Sequence, residues 1–126
     1  MIPLGDYMYR GRFADEMLKN RLSSAGAVLI RGPKGCGKTE TALQVASSLV
    51  RMDIDDTIKL RMEIEPASVL VGETPRLIDE WQEYPSIWSL VRHAIDARKK
   101  RGQFILTGSS SIHDQARLIW YPTSRH

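Results

Sequence analysis

Eight consecutive residues in the first third of the chain have the types and spacing of a phosphate-binding loop, G-x-x-x-x-G-K-S/T. Its glycines can adopt backbone conformations that direct successive N–H groups inward, where they bind an anion. Lys38 is expected to reach the β- and γ-phosphates of a nucleoside triphosphate, and the Thr39 hydroxyl is expected to bind Mg²⁺. We expect the whole loop to bind phosphate: Gly32, Pro33, Lys34, Gly35, Cys36, Gly37, Lys38 and Thr39. The alternative is a glycine-rich turn with a chance lysine.

Two adjacent acids, Asp79 and Glu80, follow an apolar pair further along the chain. An aspartate at the end of a buried strand beside the loop is placed to hold Mg²⁺, usually through water. Glu80 points another way, toward the γ-phosphate, where it can accept a proton from an attacking water. An acidic strand end that enters a turn is the alternative. The glycine loop upstream favours the catalytic interpretation.

A polar segment, Thr107-Gly108-Ser109-Ser110, follows a third apolar run. A polar side chain at this point can contact the γ-phosphate or the attacking water and sense the state of the nucleotide, so Thr107 and Ser109 are candidates. Gly108 would let the backbone pass close. The alternative is a strand that runs into a Ser/Gly turn, which this composition also predicts.

Hydrophobic periodicity predicts the elements that position these residues. The predicted strands are 27–31, 50–55, 76–80 and 103–107. The predicted helices are 13–22, 37–48, 58–64 and a fourth that begins at Pro85 and is ended by Gly102, with residues 99–101 in its last turn. Their alternation favours an α/β fold with a mostly parallel sheet and helices on its faces. The pattern leaves open whether residues 116–120 form a fifth strand. We expect an N-terminal arm and short helix over 1–22, a core over 23–111 and an irregular or truncated tail over 112–126.

Composition limits the class of protein. The chain has 126 residues, of which 42% are hydrophobic and 26% are charged, which is typical of one soluble globular domain. No apolar stretch is long enough to span a membrane. A single cysteine and an N-terminus unlike a signal peptide favour the cytoplasm. The net charge of +3 permits an acidic partner without requiring one, so nucleic-acid binding has no support of its own.

The chain resembles the prokaryotic AAA-type ATPases of the AAA_14 group, which usually carry a C-terminal DUF4143 domain. The resemblance covers residues 7–110 and depends on three stretches: GAVLIRGPKGCGKTETALQVA, TPRLIDEWQEYPSIWSLVRHAID and GQFILTGSS. It implies a three-layer P-loop NTPase core of the ASCE type with four to five strands, with Walker A at 32–39, Walker B at 77–80 and sensor 1 at 107–109. After Ser111 the resemblance ends, which implies truncation after the fourth core strand.

We therefore expect Mg²⁺-dependent ATP binding and hydrolysis, with Glu80 as the base. The alternative is a nucleotide-binding module or truncated remnant that binds ATP without efficient turnover. A P-loop kinase is disfavoured because a water-activating glutamate suits hydrolysis, and a GTPase because no N-K-x-D motif occurs. No candidate arginine finger follows the fourth strand, so a homo-oligomer that lends an arginine in trans stays open.

Overall fold

The computed structural model describes residues 12–111 and 116–123. Within them the helices are α1 (Arg12–Leu22), α2 (Lys38–Leu43), α3 (Ile58–Ile64) and α4 (Ile87–Arg98), with short 3-10 turns at Pro66–Leu70 and Trp81–Glu83. The strands are β1 (Ala25–Pro33), β2 (Ser48–Arg51), β3 (Arg76–Asp79), β4 (Phe104–Ser110) and β5 (Arg117–Pro122). None of these helices has the length and apolar character that a bilayer crossing requires.

The five strands form one sheet in the order β2-β3-β4-β1-β5. The pairs β2–β3, β3–β4 and β4–β1 are parallel, whereas β5 runs antiparallel to β1. The register aligns the carboxyl ends of the parallel strands: Arg51 lies opposite Asp79, Asp79 opposite Thr107, and Gly32 opposite Ser109. The sheet therefore gathers four chain segments that are distant in sequence along one edge.

Helices cover both faces of the sheet. The face under α1 and α2 is filled by buried aliphatic side chains, among them Leu18, Val28, Ala42, Leu77 and Ile105. The face under α3 and α4 is filled by a second set, among them Leu29, Ile58, Ile78, Ile95 and Leu106. Successive residues of β1 alternate between the two clusters, as the two-residue period of a strand requires. This confirms the expected α/β fold, with three layers and a mostly parallel sheet.

The segment between the glycine loop and β3 differs from the prediction. The predicted helix over 37–48 ends at Leu43, and the strand predicted over 50–55 occupies Ser48–Arg51. The Ser47 N–H donates to the carbonyl of Pro75 at 2.7 Å, and the Met52 N–H donates to the carbonyl of Asp79 at 2.9 Å. Pairing with β3 thus draws residues 47–52 into the sheet and overrides the local periodicity, because tertiary contacts outweigh weak helical propensity.

Toward the C-terminus, three further element boundaries differ from the predicted ones. Helix α4 ends at Arg98, and Lys99 adopts a left-handed conformation (φ 56°), so residues 99–101 lie beyond the last helical turn. Strand β4 continues to Ser110 because it pairs with β1 as far as Pro33, so Gly108–Ser110 are not a turn. The segment expected as an irregular tail contains β5, close to the strand left open at 116–120. Residues 1–11 of the expected arm, 112–115 and 124–126 lie outside the described residues.

Candidate functional site

The glycine loop, residues 32–39, joins β1 to α2. Gly35 (φ 83°) and Gly37 (φ 90°) adopt left-handed conformations that other residues rarely take. The Cys36 N–H donates to the carbonyl of Pro33 at 3.3 Å, which tightens the turn. The two left-handed glycines let the loop reverse direction directly before Lys38.

A cleft of about 410 Å³ opens beside the loop. This volume lies within the usual range for small-molecule sites. The cleft is lined by loop residues together with side chains from α2, β2 and the end of β3: Lys34, Gly35, Gly37, Lys38, Thr39, Glu40, Leu43, Arg51 and Glu80. The structure therefore places the predicted binding loop and the predicted base, Glu80, around one space.

The Lys38 side chain is 4% exposed, and its Nζ donates to the carbonyl of Pro33 at 3.3 Å. This contact uses one of the three donors that an ammonium carries. Because Lys38 also lines the cleft, its remaining donors are available to an anion that enters beside the loop. A buried ammonium of this kind requires a compensating partner, and a phosphate oxygen would supply one.

Asp79 ends β3 and is 4% exposed. Its Oδ1 accepts hydrogen bonds from the Thr39 hydroxyl (2.9 Å) and from the Thr107 hydroxyl (2.5 Å). Its Oδ2 lies 3.9 Å from the guanidinium of Arg51. The loop, β2, β3 and β4 thus meet at one carboxylate, and two predicted site residues, Thr39 and Thr107, both donate hydrogen bonds to a third, Asp79.

Thr39 and Asp79 are the candidate ligands for Mg²⁺. The described residues contain no group of three His, Cys, Asp or Glu side chains that could hold a metal ion alone. Mg²⁺ at nucleotide sites usually takes one or two protein oxygens and completes its shell with phosphates and water. A hydroxyl that lines the cleft and a carboxylate oxygen 2.9 Å from it fit that requirement.

Glu80 leaves the strand in a left-handed conformation (φ 58°, ψ 53°), one residue earlier than the predicted strand end. For a residue other than glycine this conformation costs on the order of 1–3 kcal/mol and persists where its surroundings enforce it. Its N–H donates to the Thr107 hydroxyl at 3.1 Å. Its carboxylate accepts from the Ser109 hydroxyl (2.9 and 3.1 Å to the two oxygens) and from the Gln82 amide (2.7 Å). Thr107 therefore holds the backbone of Glu80, and Ser109 holds its side chain.

Gly108 forms the wall behind these residues. A Cβ at this position would lie 2.7 Å from Nε1 of Trp81 and 3.2 Å from Oε1 of Gln82. The group that approaches the backbone of Gly108 is the indole of Trp81, whereas a close approach of this backbone to a nucleotide stays a prediction. This contact seats the turn that follows Glu80 directly on β4.

Sequence reasoning misses two residues: Arg51, which lines the cleft, and Gln82, which donates to the Glu80 carboxylate. Arg51 was assigned to the interior of a strand, because the alternation of apolar residues favoured 50–55 over 48–51. Gln82 carried no local signal that it would reach back to Glu80. Correct bounds for β2 would have placed Arg51 at the carboxyl end of a strand, where site residues of parallel sheets gather.

Comparison with known proteins gives one family and a set of partial relatives. A family model, AAA_14, described as an AAA domain, matches residues 24–126, beyond residue 110 where the sequence analysis ended the resemblance. The HPr kinase/phosphorylase of Geobacillus sp. (strain WCH70) is 45% identical over 56 residues, and that of Bacillus cereus (strain B4264) is 43% identical over 56 residues. Each match covers 44% of this chain but only 17% and 18% of the respective relative. No solved structure matches the chain.

Proposed function

Since the chain belongs to the AAA_14 family of AAA domains, which indicates nucleotide binding, we propose that it binds ATP with Mg²⁺ and hydrolyses it. The observation that carries this proposal is the cleft, because Lys38, Thr39 and Glu80 line the same space. A phosphate-binding loop and a carboxylate that line the same cleft are the two parts that hydrolysis of a bound triphosphate needs.

Binding would depend on the glycine loop and its lysine. Backbone N–H groups of residues 32–39 would surround the β-phosphate, and Lys38 would contact the β- and γ-phosphate oxygens. Thr39 and Asp79 would hold Mg²⁺, which supplies charge neutralisation on the phosphate oxygens when bound. Thr107 would keep the Asp79 carboxylate in place through the hydrogen bond that its hydroxyl donates.

Hydrolysis would depend on Glu80. Its carboxylate would accept a proton from a water as the water oxygen forms a bond to the γ-phosphorus. The bond between that phosphorus and the β,γ-bridging oxygen breaks, and ADP leaves. Ser109 and Gln82 would act as positioning residues, because both donate to the Glu80 carboxylate.

The second candidate function is ATP binding without efficient turnover. One observation favours it: the Glu80 carboxylate already accepts hydrogen bonds from two side chains, Ser109 and Gln82, with which a water must compete. Two of the relatives are named HPr kinase/phosphorylase, so phosphoryl transfer is a reaction to compare with ATP hydrolysis. Because the chain spans less than a fifth of their length, their activity is not assigned to it.

Release of phosphate from ATP tests the proposal. We would compare the unaltered chain with Glu80→Gln and with Glu83→Gln, an exposed acid three residues further on as the matched control. We expect Glu80→Gln to lower turnover by about 100-fold or more, as removal of a general base does, with ATP affinity retained. Glu83→Gln should retain full turnover. ATP binding without turnover in the unaltered chain would establish the second candidate instead.

Loss of Lys38 tests the binding step. Lys38→Ala should abolish ATP binding, because it removes a buried ammonium that lines the cleft beside the loop. Lys59→Ala, in which an exposed lysine of α3 is removed, is the matched control and should bind ATP normally. Unchanged affinity in Lys38→Ala, measured by isothermal titration calorimetry, would refute the assignment of the loop.

A further inference from the structure

Arg51 lies in the cleft but belongs to none of the segments that the proposed mechanism uses. It is the last residue of β2 and lies in register with Asp79 of β3. Its side chain is 40% exposed, whereas that of Asp79 is 5% exposed. Arg51 lines the same cleft as Lys38 and Glu80. A guanidinium therefore stands at the β2 side of the space in which the phosphates would lie.

The contact between Arg51 and Asp79 is loose. The distance of 3.9 Å from NH1 to Oδ2 is too long for a hydrogen bond, so the pair is electrostatic only. The other oxygen of Asp79 already accepts from the hydroxyls of Thr39 and Thr107. Because the Arg51 side chain is 40% exposed and makes no hydrogen bond to Asp79, its guanidinium can turn toward a stronger partner in the cleft.

A terminal phosphate is the partner that this geometry suits. The guanidinium presents a planar set of donors that matches phosphate oxygens in pairs. Lys38 approaches the cleft from the glycine loop, and Arg51 approaches it from the end of β2. A phosphate in the cleft would thus have two cations among the residues that line the space, together with the carboxylate of Glu80.

We propose that Arg51 binds the γ-phosphate of ATP within the same chain. A cation for the terminal phosphate would then come from β2, and no arginine from a second copy would be needed at that position. The inference rests on the proposed function, because it requires a nucleotide in the cleft. It makes a distinction that nucleotide binding alone does not: Arg51 contacts a group that ATP has and ADP lacks.

The test measures affinity for ATP and for ADP by isothermal titration calorimetry, with no reading of turnover. The variants are Arg51→Met, which keeps most of the side-chain length, and Arg51→Lys, which keeps the charge without the paired donors. Arg92→Met, an exposed arginine of α4 outside the cleft, is the matched control. Thermal unfolding of each variant shows that the fold is retained.

We expect Arg51→Met to weaken ATP binding by about tenfold or more, since a hydrogen-bonded charge contact is lost. ADP binding should change by less than about threefold. Arg51→Lys should fall between Arg51→Met and the unaltered chain, and Arg92→Met should match the unaltered chain for both nucleotides.

Two results would overturn the inference while leaving the proposed function intact. Arg51→Met could bind ATP as tightly as the unaltered chain, or it could weaken ATP and ADP equally, and in either case Arg51 does not bind the γ-phosphate. If the unaltered chain bound neither nucleotide, the proposed function would fail first and the role of Arg51 would fail with it.

Discussion

Replacement of Gly108 by alanine tests how closely β4 and the turn after Glu80 are packed. The added Cβ would lie 2.7 Å from Nε1 and 3.1 Å from Cδ1 of Trp81, and 3.2 Å from Oε1 of Gln82. Gly108 pairs with Arg31 of β1, which restrains β4 from moving away. The indole of Trp81 must therefore move, and Gln82, the next residue, must move with it.

The size of the effect follows from these contacts. Overpacking of a well-packed site costs roughly 1–3 kcal/mol. Because Trp81 is half-buried and can shift toward solvent, we expect a loss of about 1–2 kcal/mol in the free energy of unfolding. The shift also disturbs the 2.7 Å hydrogen bond from Gln82 to Glu80, so turnover should fall while ATP affinity is retained.

A double-mutant cycle provides the assay. The free energy of unfolding is measured in urea for Gly108→Ala, Trp81→Ala and the double variant. If the clash is with the indole, Gly108→Ala should have little effect once Trp81 is absent, which gives a coupling energy of about 1 kcal/mol or more.

Gly26→Ala is the control in this cycle. Its Cβ would clash with Cγ2 of Ile95, in the contact between β1 and α4. Gly26→Ala should therefore destabilise the chain without any coupling to Trp81. Equal destabilisation by Gly108→Ala with and without the indole would show that the contact with Trp81 does not limit this position.

Two further predictions concern buried and half-buried hydroxyls. Thr107→Val removes both the donor to Asp79 and the acceptor for the Glu80 N–H, so it should lower the free energy of unfolding by about 1–3 kcal/mol. Thr107→Ser keeps the hydroxyl and should retain most of that free energy. Equal stability of the two variants in urea unfolding would contradict the role of the hydroxyl. Desolvation, and then the hydrogen bond that Tyr121 donates to Asp96, raise the pKa of the Tyr121 phenol above 10.0. Because the raised pKa belongs to the folded state, this contribution to stability is complete below pH 10.0 and is lost as the pH rises through the folded-state pKa. Tyr121→Phe should therefore flatten the alkaline decline of stability, and an unchanged decline would show that another group causes it.

The parts of the site that are continuous in sequence were predictable. The glycine loop is recognised from eight adjacent residues, because the glycines shape the local backbone and Lys38 and Thr39 follow them directly. Asp79 and Glu80 are predictable in the same way, since they directly follow the apolar pair Leu77-Ile78 at the end of a short strand. Most elements were also predicted, because burial on one or both faces imposes its period on the local sequence.

The contacts among these segments depend on pairing between distant parts of the chain. The bounds of β2 follow from hydrogen bonds to Pro75 and Asp79, and they bring Arg51 to the cleft. Strand β4 extends through Ser110 because β1 offers it partners as far as Pro33. No local pattern encodes such a register, since the pairing energy belongs to two strands together.

The direction of β5 and the support of Glu80 have the same physical origin. The sequence pattern does not decide whether residues 116–120 form a strand. The antiparallel direction of β5 comes from its pairing with β1. Ser109 and Gln82 converge on Glu80 because β4 and the turn after β3 lie side by side in space. Local sequence encodes residue types, periods and the bends that glycine permits; which side chains then meet is set by strand order and register, because those contacts form only when the whole sheet assembles.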